Sequence, residues 1–166
     1  MRVERDEVVG RSTGTAVITA ERGPVTAFAR AVTDTSEVYQ RRDAAQAAGF
    51  DDIPVPPTYF FSAAEFWGAF PEDQRTDDPT SGANPVTEII GELMRNGGII
   101  LHGEQEFEYH RPIVVGAKLR REGRIADLYA KASGDRMMTF LVTENEYRDE
   151  SGELVLTSRM NLIHRA

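Results

Sequence analysis

The chain has 166 residues, no cysteine, and 27 acidic against 19 basic side chains, for a net charge of -8. This length suits one domain over 1–166 with a core that needs no staples, and the missing cysteines exclude disulfides and thiolate metal sites. The acidic balance argues against nucleic acid and anionic membrane surfaces as partners. No apolar run approaches a membrane span, and the charged N-terminus carries no secretory h-region, so the reading is a cytoplasmic protein.

In chain order, residues 1–13 are charged and patternless, a loosely ordered lead-in, and Thr15–Thr19 is a β-branched first strand. Gly23-Pro24 opens a helix with Val25, Phe28, Ala29 and Val32 on one face, ending in the polar stretch Thr33–Ser36. Asp43 and Gln46 are spaced as a capping box on a short helix that Gly49 closes. The segment Pro54–Phe70 follows, reading P-V-P-P-T-Y-F-F-S-A-A-E-F-W-G-A-F. Phe60, Ala63, Ala64 and Trp67 share one side at helical spacing, and Tyr59, Phe66 and Phe70 cover most of the rest. A helix apolar almost all round is expected to be buried, here for about three turns until Pro71. The acidic Pro71–Pro85 stretch reads as an exposed loop, with Thr76–Asn84 as a possible flap, and Thr87–Arg95 as one more short helix.

From Ile99 the period changes to two. Leu101, Gln105, Phe107 and Tyr109 alternate with His102, Glu104, Glu106, Glu108 and His110. Further strands are predicted over Lys118–Lys131, Arg136–Arg148 and Glu153–His164, with turns at Ser133-Gly134-Asp135 and Asp149–Gly152 and a bulge at Gly123. Helices early and strands late make an α+β pattern, an antiparallel sheet wrapped around a central buried helix, which is the hotdog fold.

The strings V-P-P-T-Y-F-F (Val55–Phe61) and L-H-G-E-Q-E-F-E-Y-H-R-P-I-V-V-G (Leu101–Gly116) resemble the N-terminal-half family of MaoC-like dehydratases. This family includes the first hotdog of two-domain R-specific enoyl-CoA hydratases and a subunit of 3-hydroxyacyl-carrier-protein dehydratases. The resemblance implies an acyl-CoA or acyl-carrier-protein thioester as ligand and a hotdog dimer, either homodimer or heterodimer with a catalytic hotdog subunit. His102 and His110, eight residues and roughly 27 Å apart along a straight strand, cannot share one metal, and neither a metal nor a cofactor is expected. Catalytic relatives carry an Asp and His pair in a D-x-N-P-x-H string and an oxyanion N–H from a Gly at the helix start. Here Asp34 matches the Asp, Tyr39 stands where the His would be, and Pro57, which has no N–H, takes the place of the Gly.

The catalytic candidates are therefore Asp34 with Tyr39, or His102 with Glu104 two residues apart on one strand. The substrate-binding candidates are Pro57, Thr58, Tyr59, Phe60, Phe61 and Trp67, which equally suit a core. Arg41, Arg42, Arg120, Arg121 and Arg124 are candidates for a ligand phosphate, with plain surface charge as the other reading. The functional expectation is a substrate-holding, non-catalytic subunit of a (3R)-hydroxyacyl-thioester dehydratase or enoyl-CoA hydratase. A self-sufficient homodimeric hydratase or hotdog thioesterase, and a non-enzymatic acyl-CoA binding module, are the alternatives.

Overall fold

The computed structural model describes residues 3–74, 84–134 and 136–166. Most of the expected flap, and Asp135 of the expected turn, lie outside them. The elements are α1 (Arg5–Val8), β1 (Ser12–Thr19), α2 (Arg22–Ala31), α3 (Arg42–Ala47), α4 (Tyr59–Ser62), α5 (Ala64–Gly68), α6 (Pro85–Leu93), β2 (Ile99–Tyr109), β3 (Lys118–Ser133), β4 (Arg136–Arg148) and β5 (Leu154–Arg165). The five strands form one antiparallel sheet in the order β1-β3-β4-β5-β2. This is the hotdog fold.

Several local expectations are corrected. The lead-in is ordered enough to form α1, whose Val8 is buried against Ile125, Leu128 and Leu141. The capping box does not form: Arg41 holds the N-cap position without a side-chain cap, and Asp43 accepts from Ala44 N instead. In β3 the register slips against β4 between Ile125 and Asp127, while Gly123 pairs regularly with Asn145 and meets a slip on its other side, in β1 between Ser12 and Gly14. Asp149 does organise its turn, accepting from Ser151 N, Ser151 Oγ and Glu153 N at 2.9, 2.6 and 3.0 Å.

The central helix differs most from expectation. It breaks at Ala63 (φ -138°) into α4 and α5, although the bonds from Ala63 N to Tyr59 O and from Trp67 N to Ala63 O carry the coil across. It lies on the sheet and is not encircled by it, because one chain's sheet can cover only one side. Tyr59, Phe60 and Ala64 are buried, while Phe61, Phe66 and Trp67 are 50%, 81% and 54% exposed. The buried side is tied down by a run of edge-to-face rings. Phe28 meets Tyr59 at 5.5 Å, Tyr59 meets Phe60 at 5.9 Å and Phe60 meets Tyr147 at 5.2 Å, contacts of a kind that contribute about 0.5–1.5 kcal/mol each beyond their buried area. At the far end Gly68 sits against β1, where a Cβ would fall 2.1 Å from the Thr19 carbonyl oxygen.

The concave face carries two apolar clusters. One gathers Ile18, Val25, Tyr59, Phe60, Leu119, Tyr147 and Leu156 under α2, α4 and α5. The other gathers Val8, Ile89, Ile125, Leu128 and Leu141 under α1 and α6. The convex face is charged: Glu144 accepts from Arg124 at 3.0 Å and from Arg159 at 2.5 Å, and Arg159 reaches Glu106 at 3.5 Å.

Two substitutions test this packing. Gly68→Ala is expected to cost about 1–3 kcal/mol, the scale of an overpacked site that needs backbone movement, and so to lower Tm by about 2–4 °C per kcal/mol. Tyr59→Phe should be neutral or stabilising, because the Tyr59 hydroxyl is buried without a hydrogen-bond partner and its removal relieves a desolvation cost of about 1–3 kcal/mol. Urea unfolding of both variants checks the pair, and a loss of more than about 1 kcal/mol in Tyr59→Phe would contradict it.

Candidate functional site

Two hollows flank the central helix. The first lies at its entrance, a space of about 430 Å³ bounded by Tyr39, Phe50, Pro57, Tyr109, His110 and Arg111. The chain reaches it through the bridge between Pro54 and Val114 and the bond from Val55 N to Ile113 O, 2.8 Å. Tyr109 comes from the last position of β2 and donates its hydroxyl to the Pro57 carbonyl at 2.5 Å. Pro57 therefore has no N–H to offer here, and its carbonyl is already engaged.

Tyr39 ends a 3-10 turn, Glu37–Tyr39, and lines the same hollow. Burial and the nearby Asp34 carboxylate both push its phenol above the usual value. That is the wrong direction for a general base, since the hydroxyl keeps its proton throughout the neutral range. Asp34 itself accepts from Ser36 N at 2.9 Å, a local turn that employs one oxygen in holding its own loop. Its other neighbours are Arg30, Thr33, Thr35 and Gln40 around a separate shallow hollow.

His102 and Glu104 are not brought together. The β2 register against β5 slips by one residue between His102 and Gln105, and that bulge reverses the parity on which the expected pairing rests. His102 pairs with Leu162 and sets its ring edge-on to Phe61 at 5.0 Å on the helix side. Glu104 accepts from Asn161 Nδ2 at 2.9 Å on the convex side. The two side chains lie on opposite faces of the sheet.

The second hollow, about 300 Å³, lies beneath α4 and α5. Its walls include Phe60, Phe61 and Phe66 from the helix and Gln105, Asn145, Tyr147, Ser158 and Met160 from three strands. Of the expected substrate-binding residues, only Phe60 and Phe61 reach it. Tyr59 is core, Thr58 is exposed at the helix start, Pro57 belongs to the first hollow, and Trp67 packs edge-on to Phe66 at 5.0 Å.

The basic candidates are all paired with carboxylates: Arg41 with Asp43, Arg42 with Asp52, Arg120 with Glu122, Arg121 with Glu65, and Arg124 with Glu144. Each shares its charge with a carboxylate and is no free cradle for phosphate. Among the described residues no three His, Asp or Glu side chains gather as metal ligands, and no helix is long and apolar enough to cross a membrane.

The model of the FAS1-like dehydratase domain region matches residues 7–158. The chain belongs to the FAS1-like dehydratase family. A UPF0336 protein of Streptomyces coelicolor is 32% identical over 160 residues, covering 96% of this chain and 93% of that one. Among solved structures, the ChsH1-ChsH2 complex from Mycobacterium tuberculosis matches with a TM-score of 0.70 at 18% identity, over 92% of this chain and 83% of that one. The C-terminally truncated HadBC (3R-hydroxyacyl-ACP dehydratase) complex from the same organism matches with a TM-score of 0.62 at 20% identity, over 92% and 96%. At those identities the structural likeness speaks to the fold.

For this member of the FAS1-like dehydratase family, sequence reasoning missed Tyr109, Asn145, Tyr147 and Ser158 as site residues. One signal was in view: Gln105 is a polar residue on the apolar parity of β2. Asn145 and Ser158 become neighbours only through the β4–β5 register.

The tyrosines supply a pH prediction. Burial pushes Tyr39, Tyr59 and Tyr109 upward and Tyr147 to about 12. A raised folded pKa means the folded state holds its proton more tightly than the unfolded chain, so this stability is complete below pH about 10 and lost as pH rises toward about 12. Urea midpoints should therefore fall over that window while phenolate absorbance lags that of the unfolded protein. Tyr147→Phe should flatten the decline, and an unchanged slope would reject the assignment.

Proposed function

We infer that this chain is the substrate-holding, non-catalytic subunit of a (3R)-hydroxyacyl-thioester dehydratase or enoyl-CoA hydratase, working with a second hotdog that brings the Asp and His. The observation that carries this reading is the helix entrance. Where catalytic relatives place an imidazole, this chain has a phenol held in its protonated form. Where they place an oxyanion N–H, it has Pro57, its carbonyl bonded to Tyr109. Water activation and enolate stabilisation both lack their groups.

The geometry also favours a partner of different sequence. Of the two sheet edges, β1 is blunted by Gln74, whose side-chain amide accepts from Val17 N and donates to Val17 O, both at 2.9 Å. β2 has one strand neighbour among the described residues, and beside it the half-exposed Phe61, edge-on to His102 of that strand, leaves apolar surface to cover. Glu104, Glu106 and Glu108 line the convex side of that edge. Antiparallel pairing of two copies with their buried faces aligned, centred near Glu106, sets these glutamates against one another, and like charges directly opposite are destabilising. A hotdog whose edge strand carries Lys or Arg there fits better.

The direct test is hydration of short and long 2-enoyl-CoA thioesters by the purified chain, alone and mixed with a hotdog carrying the D-x-N-P-x-H string. Turnover is expected only in the mixture and should be insensitive to Asp34→Asn in this chain. Robust turnover by the chain alone, abolished by Asp34→Asn, would overturn the reading, and release of free thiol would mean a thioesterase.

The charge argument has its own check by sedimentation. Self-association should be weak at low salt and strengthen as salt screens the glutamates, whereas the mixed complex should weaken with salt. The opposite pair of trends would refute heterotypic pairing through β2.

A further inference from the structure

The hollow beneath α4 and α5 is polar where the fold calls for apolar packing. It lies in the gap between the two apolar clusters of the concave face. Across the sheet, Gly123 pairs with Asn145 and Asn145 with Ser158. In the next row Thr143 pairs with Met160, which pairs with Gln105. These rows continue the lines of Leu119, Tyr147 and Leu156 on one side and of Leu128, Leu141 and Leu162 on the other. Aliphatic side chains there would join the clusters into one core. Instead the strands set a glycine, the amides of Gln105 and Asn145 and the hydroxyls of Thr143 and Ser158 among the apolar Ile125, Met160 and Phe107. A Cβ at Gly123 would fall 2.2 Å from Thr13 Oγ1 and 2.6 Å from Asn145 Oδ1, so any other residue there displaces those side chains.

The hydrogen bonding of these groups is incomplete. Gln105 Nε2 donates to the Arg159 carbonyl at 3.0 Å, which fixes the orientation of its amide because a carbonyl can only accept. The other end, Gln105 Oε1, is buried at the cavity wall with no partner. Asn145 Oδ1 accepts from Arg121 Nη1 at 3.1 Å, and the amide nitrogen has no partner among the described residues. Arg121 is held in turn by Glu65 of α5 at the rim, so these amides are braced from behind. A buried acceptor and a free donor facing one small space call for a group that both gives and takes a hydrogen bond.

We propose that this hollow receives a hydroxyl- or amide-bearing segment of the ligand in place of a plain alkyl chain, with Gln105 accepting from it and Asn145 donating to it. An alkyl chain leaves both groups unpaired and desolvated, and a site built to hydrogen-bond a polar group discriminates against an analogue that lacks it. The three phenylalanines of the helix then wall the carbon skeleton on either side of that group. This rests on the thioester-holding reading above for the nature of the ligand, though not for the polarity of the hollow. Two parts of an acyl-CoA offer this chemistry: an oxygenated acyl chain and the amides of the pantetheine arm.

The experiment is calorimetric binding of octanoyl-CoA, its ω-hydroxy counterpart and CoA itself to the wild-type chain and to Gln105→Leu. The hydroxy ester is expected to bind about tenfold tighter than the plain ester, the value of one well-made buried hydrogen bond, and Gln105→Leu should erase or reverse the difference. If CoA alone already binds and is weakened to the same degree by Gln105→Leu, the segment is the pantetheine amide and the proposal stands in that form. Equal or tighter binding of the plain ester, with no loss in the variant, overturns it. Should no CoA species bind, the thioester reading fails first. The hollow is then judged by octanol against octanediol, through NMR shifts of the Gln105 and Asn145 side-chain amides. Preference for the diol supports the proposal and its absence rejects it.

Discussion

The seating of one short, broken helix on one concave sheet is the contact on which the rest of this structure depends. It is made at two points. Tyr59 and Phe60 drive rings between Phe28 and Tyr147, and Gly68 brings the helix backbone against the Thr19 carbonyl. The first contact is mainly apolar burial and is tolerant of detail. The second is steric, because no side chain fits between α5 and β1. Together they set the height of the helix above the sheet. That height leaves a space of about 300 Å³ beneath it and directs Phe61, Phe66 and Trp67 away from the core.

From that placement the division of labour in the molecule follows. The helix entrance is occupied by Tyr39, whose phenol keeps its proton, and by Pro57, which has no N–H to give. The space under the helix is polar and partly unsatisfied. The convex face is given over to ion pairs, and the β2 edge is acidic. Each of the arginines considered for a ligand phosphate already shares its charge with a carboxylate.

Electrostatics and packing act at different ranges here. Glu144 shows the balance: burial raises its pKa, but bonds to Arg124 and Arg159 outweigh that and leave the carboxyl below its usual value. That network stiffens the convex face without demanding a partner. On the other face of the β2 edge the half-exposed Phe61 sits against His102, so apolar and charged surfaces meet at a strand that has one neighbour among the described residues.

Strand positions, their order of appearance and the α+β pattern were legible in the sequence because period-two alternation and turn chemistry are local properties. β4 was read at its observed bounds, and Gly49 and the Asp149 turn stand where their residue types place them. That position 39 carries a phenol and position 57 a proline without an N–H was equally legible, since these are facts of residue type. Tertiary structure decided what depends on register and on closing the fold. A one-residue bulge in β2 separated His102 from Glu104, which no count of spacing could reveal. The helix that is apolar all round proved half exposed, because periodicity reports which side chains avoid water and not whether one chain has enough sheet to cover them. Gln105, Asn145 and Ser158, distant in sequence, became one polar site only when antiparallel pairing set three strands side by side.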